Sequence, residues 1–219
     1  MASYSQIRLT PRKTPLQARA TVTVEAILEA TTQVLLVLGP IRLTTTAVAE
    51  RAGVSIGTMY QYFPNKEALL YTVTERHLNA MAERLRFACA EQHGATVGNM
   101  AEALVVAYWQ AKTAQCYLTR AVYLVAEDVK TGALIEHFYQ HVESMTTAMF
   151  STAVDADYAD LTAVNFTLLT SLFGSVRALF DRSITGTWAA GVQQQLICMS
   201  RAYMEAAKLP AGERLKPSV

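Results

Sequence analysis

Residues 52–70 (AGVSIGTMYQYFPNKEALL) combine side chains that could bind a polyanion. Between apolar residues, the segment holds two glycines, two tyrosines, a glutamine and a lysine. A glutamine amide can form two hydrogen bonds with adenine, a tyrosine hydroxyl can donate to a phosphate oxygen, and a lysine neutralises phosphate charge. We therefore expect nucleic-acid recognition here if the fold brings these side chains to one exposed face.

Two short helices joined by a tight turn would form such a face. Residues 44–52 predict the first helix, with a threonine as N-cap, and Gly53 supplies the turn. Ser55 can cap a second helix that reaches Phe63, where Pro64 stops it. Helices of this length and spacing are typical of a helix-turn-helix.

The second short helix has two different sides when it is drawn at about 100° per residue. With Met59 and Phe63 inward, Gln61 and Gly57 lie on the outward side, which carries no acidic residue. Gly57 has no side chain, so DNA could approach its backbone closely. Lys66 stands at the start of the next helix, where its charge and the free N–H groups favour an anion. The predicted DNA-contacting residues are Thr44, Thr45, Thr46, Ser55, Gly57, Thr58, Tyr60, Gln61, Tyr62 and Lys66.

An ordinary helical hairpin, with half-buried tyrosines and a solvated lysine, is the alternative interpretation of this segment. Residues 22–70, however, resemble the DNA-binding domain of the TetR family of transcriptional regulators. Threonines open the second helix, AGVS forms the turn, and GTMYQYF is followed closely by KEAL. Ile56 stands where the family often has a polar or basic residue. The resemblance implies DNA contacts at Thr45, Thr46, Gly57, Thr58, Tyr60, Gln61, Tyr62 and Lys66.

The first part of the chain is more basic than the rest. Residues 1–76 contain eight basic and five acidic side chains, a net charge of +3, whereas the whole chain has a formal net charge of +1. The charged residues before Glu25 are all positive: Arg8, Arg12, Lys13 and Arg19. A basic arm fits a polyanion partner, because phosphate neutralisation releases counterions, although a solvated tail can have the same composition.

The rest of the chain has helical periodicity and no strand-like alternation, so we predict an all-α protein. Besides the two short helices, we expect helices at residues 22–38, 66–93, 97–114, 117–128, 133–152, 161–181 and 188–207. The predicted organisation is a flexible basic arm at 1–20, a three-helix helix-turn-helix domain at 21–67, a larger C-terminal helical bundle at 68–207 and a mobile tail at 208–219. The helix from Lys66 would bridge the two domains.

Hydrophobic residues make up 52% of the chain and charged residues 17%, an excess of apolar surface that a subunit interface or an internal cavity could cover. The predicted dimer interface, on the last two helices, comprises Leu168, Leu172, Val176, Leu179, Phe180, Leu196, Met199 and Tyr203. The predicted ligand pocket comprises Tyr108, Trp109, Tyr117, Tyr123, His137, Phe138, His141, Met145, Met149, Phe166 and Phe173. Packing in the core of one subunit is the alternative for both sets.

No metal or cofactor is predicted. His137 and His141 have the i, i+4 spacing of metal ligands, but no third ligand is evident nearby except Glu136. The three scattered cysteines form no CxxC pair and indicate reduced thiols in the cytoplasm. We recognise no signal peptide and no apolar run of membrane-spanning length, and therefore predict no membrane partner.

Together these features predict a cytoplasmic, homodimeric transcriptional regulator that binds a palindromic operator in double-stranded DNA. We expect a repressor that is released when a small, largely apolar effector binds the C-terminal domain. No nucleophile–base set, carboxylate pair or phosphate loop supports an enzyme. The alternatives are an all-helical small-molecule carrier or enzyme without DNA binding, and a protein that coats DNA without sequence preference. The sequence names neither the effector nor the operator.

Overall fold

The computed structural model describes residues 18–128, 131–182 and 186–210. Within these ranges every regular element is a helix, which confirms the all-α prediction. The helices are α1 (Ala18–Arg42), α2 (Thr45–Ala52), α3 (Ile56–Tyr62), α4 (Lys66–Glu91), α5 (Val97–Thr113), α6 (Cys116–Asp128), α7 (Gly132–Phe150), α8 (Leu161–Asp181) and α9 (Gly186–Ala206). The arm predicted at 1–20 lies outside the described residues except for its last three, which are helical, and the tail predicted at 208–219 is described only as far as Pro210.

The chain divides into two compact units. The first consists of Met1–Asn79 and Gln115–Ile135, and the second of Ala80–Ala114 and Glu136–Val219. This division differs from the predicted boundary at residue 67, because α6 belongs to the first unit. α4 contributes residues to both units.

α6 joins the first unit through one apolar side. Leu118, Ala121, Val122 and Val125 follow helical spacing and are buried in the same cluster as Ile27 of α1. The other members of this cluster come from four helices or their ends. They include Leu28 and Leu35 from α1, Val48 and Ala49 from α2, Met59 from α3, Phe63 directly after α3, and Leu69 and Val73 from α4. Residues of five helices or their ends, α1, α2, α3, α4 and α6, therefore form one core.

Polar contacts also fix α4 in the first unit. The Arg76 guanidinium donates two hydrogen bonds to the Glu25 carboxylate on α1, at 2.6 and 2.5 Å. These bonds lower the pKa of Glu25. On the other side, the buried His77 ring nitrogen Nε2 lies 3.1 Å from the hydroxyl of Thr119 on α6. α4 is thus attached to both α1 and α6.

α1 extends to Arg42, beyond the predicted end at residue 38, but it is interrupted at Gly39. Gly39 has φ 74° and ψ 170°, a conformation outside the helical region that glycine adopts at low cost. Leu43 donates its backbone N–H to the Gly39 carbonyl at 3.2 Å, and the chain then enters α2. The break sets the direction in which the two short helices leave α1.

The second unit has α5 and α9 in close contact. A Cβ added at Gly98 of α5 would meet the Arg201 guanidinium of α9 at 3.5 Å, and Arg201 donates to Glu102 at 2.7 Å. The connection between α7 and α8 is attached to the start of α5, since the Asp155 carboxylate accepts the Val97 N–H at 2.8 Å. Lys208 reaches the same carboxylate at 3.0 Å.

A buried polar network joins α7 to α8. The amide of Asn165, which is 0% exposed, donates to the Thr147 hydroxyl at 2.8 Å and to the Glu143 carbonyl at 3.1 Å. The same amide exchanges hydrogen bonds with Thr146. Because a buried amide is costly without partners, this network fixes the register of the two helices.

Two helices have the length and composition of a membrane-crossing segment, contrary to the sequence prediction. They are Ala20–Arg42 within α1 and Leu161–Asp181, which is α8. No continuous apolar run revealed them, because threonine and charged residues interrupt both. This is weak evidence for a membrane segment, since one side of each helix is buried in the core of its unit, as in a core helix of a globular protein.

Lys112, on α5, is a charged side chain buried in the second unit, with 5% of its surface exposed. Burial lowers the pKa of Lys112 to about 7, and the neighbouring Arg177 charge acts in the same direction. The ammonium nitrogen lies 5.6 Å from the centre of the Tyr108 ring, where the ring attracts a cation. Below its folded pKa, this lysine keeps a charge in an apolar environment.

Lys112→Met should raise the Tm most at neutral and acidic pH. An unfolded lysine has a pKa near 10.5 and the folded one near 7, so the unfolded chain binds more protons between these values. The free energy of unfolding of the wild-type protein therefore increases as pH rises from about 7 to about 10. The total increase from this lysine is on the order of 4 kcal/mol. Thermal denaturation of both proteins across this range measures it. A Tm difference that is the same at every pH would contradict the assignment.

Candidate functional site

The turn between α2 and α3 is built from local hydrogen bonds. The Thr44 hydroxyl accepts the Ala47 N–H at 3.2 Å and caps α2. Gly53 has φ 66° and ψ 30°, the left-handed conformation that ends α2, and a Cβ there would strain the backbone. The Ser55 hydroxyl then accepts the Thr58 N–H at 3.0 Å and caps α3. The predicted helix-turn-helix is present, with these caps.

α3 is held from one side only. Met59 and Phe63 are 0% exposed and pack in the core of the first unit. Gly57 and Gln61 are exposed on the opposite side, and the helix carries no acidic residue. The predicted division of this helix into a buried and an exposed side is therefore confirmed within the first unit.

The two tyrosines of α3 have different surroundings. Tyr60 is 41% exposed, and its hydroxyl lies 3.1 Å from the Thr45 hydroxyl at the start of α2. Tyr62 is half-buried and packs against the core cluster, so its ring is part of the support of α3. Tyr60 and Thr45 thus present a pair of linked hydroxyls at the surface, and Tyr62 presents less of its side chain.

The start of α4 has a capping residue as well. The Asn65 carbonyl oxygen Oδ1 accepts the Ala68 N–H at 2.8 Å. Lys66 is the first residue of α4 and is half-buried. Glu67 follows in the same turn, so the local charge is mixed rather than purely positive.

Space at Gly57 is open. A Cβ built there would meet only the Ser55 hydroxyl oxygen, at 3.8 Å, which is an ordinary contact. The fold of this protomer therefore does not require glycine at this position. Ile56, next to it, is 42% exposed, an apolar side chain at the outer end of the helix.

Arg42 is a basic residue of this region that the sequence prediction did not include. It is exposed in the last turn of α1 and precedes Thr44 by two residues. Its position in the sequence, next to the threonines at 44–46, was the feature that could have identified it as a candidate DNA contact. Arg51, by contrast, donates through Nε to the Gln33 side chain at 2.6 Å and is held against α1.

The predicted pocket residues are divided between the two units, and the pocket stays a prediction. Tyr117 and Tyr123 belong to the first unit, where Tyr117 is 76% exposed. Tyr108, Phe138 and Met149 are buried in the second unit, Trp109 and Met145 are half-buried, and His137 and His141 are exposed. Helical spacing alone does not indicate which side of each helix faces the core.

A cleft of about 340 Å³ lies between α7 and α8 of the second unit. Phe166 and Phe173 are the members of the predicted pocket that line it. The complete lining is Glu136, Tyr139, Gln140, Glu143, Phe166, Leu169, Thr170, Phe173, Gly174 and Arg177. Its walls are aromatic and aliphatic with three charged groups, Glu136, Glu143 and Arg177.

Most of the predicted dimer interface is core instead. Leu168, Leu172, Val176, Leu179 and Leu196 are each less than 10% exposed within a single protomer, so they cannot contact a second one. α8 uses its most apolar side to cover the second unit. Phe180 and Tyr203 are half-buried, and Met199 is 40% exposed.

The two histidines on α7 are stacked at the surface, with ring centres 6.5 Å apart. No group of three or more metal-ligating side chains occurs in the described part of the chain. Cys89 is buried, and burial raises the pKa of its thiol to about 11, whereas Cys116 and Cys198 are exposed.

Comparisons with known proteins agree with the geometry of the first unit. The sequence model for "Bacterial regulatory proteins, tetR family" matches residues 27–73, which contain α2, α3 and the start of α4. No curated protein matches the chain in sequence.

Many solved structures share the fold, at low sequence identity. A protein from Mesorhizobium loti MAFF303099 assigned to the same family is 15% identical with a TM-score of 0.70, and the match covers 88% of this chain and 100% of that one. A TetR-family transcriptional regulator from Streptomyces coelicolor is 23% identical with a TM-score of 0.61, covering 86% and 98%. SmeT, the repressor of the Stenotrophomonas maltophilia multidrug efflux pump SmeDEF, is 15% identical with a TM-score of 0.62, covering 89% and 94%. The chain therefore carries a TetR-family helix-turn-helix domain at residues 27–73, within a fold that transcriptional regulators of this family share.

Proposed function

We propose that this protein is a cytoplasmic, sequence-specific transcriptional regulator whose α3 enters the major groove of DNA. The observation that carries the proposal is the two-sided α3, with Met59 and Phe63 buried behind an exposed Gln61. A helix supported in this way can enter a groove without losing its own packing. The match of residues 27–73 to the tetR-family model supports the same conclusion.

The polar groups on and near the outward side of α3 would each have a specific use at DNA. Gln61 offers an amide that pairs bidentately with adenine, and Gly57 lets the sugar–phosphate backbone or a base come close. Tyr60, Thr45 and Thr46 supply hydroxyls for phosphate oxygens, and Lys66 supplies charge. Arg42 adds a second cation near Thr44. The modest net charge of +3 for residues 1–76 favours specific binding over general coating of DNA.

The protein would act as a homodimer on a palindromic operator. Two copies of α3 in successive major grooves double the contacts, and a two-fold axis in the protein matches one in the DNA. The partner would cover the exposed side of α8 and α9 rather than the leucines predicted from sequence. On α8 this side carries exposed small residues along one side of the helix, which allow close helix packing: Ala163, Thr167, Ser171 and Ala178. On α9 it carries Trp188, Gly191, Cys198, Met199 and Ala202.

We infer that the protein is a repressor, released when a small effector binds the second unit. α4 contributes residues to both units and is one of the covalent connections between them. Its two anchors in the first unit, Glu25 through Arg76 and Thr119 through His77, are polar and therefore sensitive to small displacements. A differential affinity of a few kcal/mol between two states is enough to change operator occupancy.

A carrier or enzyme without DNA binding is the alternative function. Selection of sequences from a random DNA pool separates the two, because a regulator of this kind enriches a palindrome and a carrier enriches nothing. Equal affinity for unrelated DNA at physiological salt would instead indicate a protein that coats DNA.

Gly57→Ala should leave the fold intact and weaken operator binding by on the order of tenfold. Alanine favours a helix over glycine by up to about 1 kcal/mol, so the Tm should stay the same or rise. The new methyl group, however, occupies the exposed side beside Gln61. Thermal denaturation and fluorescence anisotropy with the selected operator measure both effects. Gly132→Ala is the matched control, because a Cβ there meets nothing within 4 Å. Unchanged affinity of Gly57→Ala would exclude close approach of DNA at this position.

Gln61→Ala and Lys66→Ala should weaken binding in different ways. Loss of the Gln61 amide should remove about 1–3 kcal/mol of discrimination at one base pair of each half-site. Loss of the Lys66 charge should weaken binding to all DNA, and the slope of log K against log salt should fall by about one per lysine. Competition binding with single-base operator variants and a salt titration distinguish the two.

Gln110→Ala and Arg84→Ala are matched controls for these variants, because both side chains are exposed in the second unit. Neither should change affinity or salt dependence. If Gln61→Ala and Lys66→Ala bind the operator as the wild type does, α3 is not the DNA-contacting element.

Ala202→Arg should convert the dimer into monomers and lower operator affinity at least tenfold, because it places a charge in the proposed contact of α9. Light scattering during gel filtration measures the mass. Ala90→Arg, at an exposed position of α4 in the second unit, is the control and should remain dimeric. A dimeric Ala202→Arg protein would place the interface elsewhere.

A further inference from the structure

The cleft between α7 and α8 has the volume of a small-molecule site. Its volume of about 340 Å³ falls within the range of ligand pockets. On α7, Glu136, Tyr139 and Glu143 line it at spacings of three and four residues, so they share one side of the helix. The lining of α8 runs from Phe166 to Arg177.

One wall of the cleft is a set of aromatic rings. The Tyr139 ring stacks on the Phe173 ring with centroids 5.3 Å apart and an interplanar angle of 20°. Behind them, Phe173 packs on the buried Tyr108 at 4.5 Å, which holds the wall in place. Phe166 extends the wall and is 58% exposed, an unusual exposure for a phenylalanine. A flat or aliphatic body can therefore pack here without rearranging the core.

The two ends of the cleft differ in charge. α7 and α8 run antiparallel, because Asn165 bonds to Glu143 while Phe173 stacks on Tyr139. Arg177 therefore lies towards Glu136, and Phe166 lies towards Glu143. Asp181 further offsets the Arg177 charge, since its carboxylate lies 3.6 Å from Nε of Arg177. The end with Glu143 and Phe166 is left with a negative charge.

Glu143 is available to a ligand. Its carboxylate has no hydrogen-bond or ion-pair partner among the residues that the structure describes, and its side chain is half-buried. Glu136 differs, because Gln140 donates to its carboxylate at 2.8 Å. The backbone carbonyl of Glu143 accepts from the buried Asn165, so the position of this residue is fixed. A carboxylate in a cleft lined by aromatic rings suits a cation, which both groups attract.

We infer that this cleft binds a small amphipathic cation, with its charged amine at Glu143 and its apolar body on Tyr139, Phe166 and Phe173. An anion of the same shape meets the Glu143 charge and is disfavoured. The claim that this cation is the effector rests on the proposed function. The claim that the cleft binds such a cation rests on the cleft alone.

Calorimetric titration with two naphthalene probes tests the site: the (2-naphthylmethyl)trimethylammonium cation and 2-naphthylacetate. The cation should bind to wild-type protein, and the anion should bind at least tenfold more weakly. Glu143→Gln keeps the shape of the side chain and should weaken cation binding on the order of tenfold, with an unchanged Tm. Glu91→Gln, exposed at the end of α4, should have no effect. Phe166→Ala should also weaken binding of the cation, because it removes one ring of the aromatic wall.

Three outcomes would overturn the inference: tighter binding of the anion, an undiminished affinity of Glu143→Gln, or cation binding only to the monomeric Ala202→Arg protein. The last outcome would mean that a second copy of the chain fills the cleft in the dimer. Operator binding is measured separately. If the cation binds but no DNA sequence is selected, the proposed function fails and the site remains; if an operator is selected but neither probe binds, only the site fails.

Discussion

Burial of Met59 and Phe63 is the interaction on which the proposed DNA-binding surface depends. α3 has seven residues, too few for an isolated helix to be stable in water, so its orientation comes from these two anchors and from the caps at Ser55 and Gly53. Both anchors are 0% exposed in a core that α1, α2, α4 and α6 complete. Because one side of α3 is fully occupied, the side with Gln61 must face outward. The chemistry of recognition is thus a consequence of apolar packing behind it.

The same core bears on the proposed regulation of the first unit. α6 follows α5 in sequence and packs with α1, and α4 carries residues of both units. The first unit therefore contains two segments whose chain neighbours belong to the second. Arg76 and His77, adjacent in α4, bond to α1 and α6 respectively. Under the proposed regulation, displacement of α4 would break both hydrogen bonds and disturb the core that supports α3.

Local features could be predicted from sequence because each depends on a few neighbouring residues. The caps at Thr44, Ser55 and Asn65, the left-handed Gly53 and the break at Gly39 all lie where their residue types require them. Contacts between residues that are distant in sequence could not be predicted in this way. The leucines of α8 are apolar enough for a dimer interface or a core, and only the packing of the second unit assigns them to the core. Tyr117 and Tyr123 lie on α6, and only tertiary packing assigns this helix to the first unit. The unpartnered carboxylate of Glu143 and the buried Lys112 are likewise products of tertiary packing.

The most direct test of the account is the NMR signal of the Gln61 side-chain amide during titration with a selected operator, assigned by its loss in Gln61→Ala. The account predicts a large shift of this signal and an intermolecular NOE to a base in the major groove, while the methyl signals of Met59 stay near their free positions. If the Gln61 amide does not change while other parts of the protein respond to DNA, the exposed side of α3 is not what recognises the sequence.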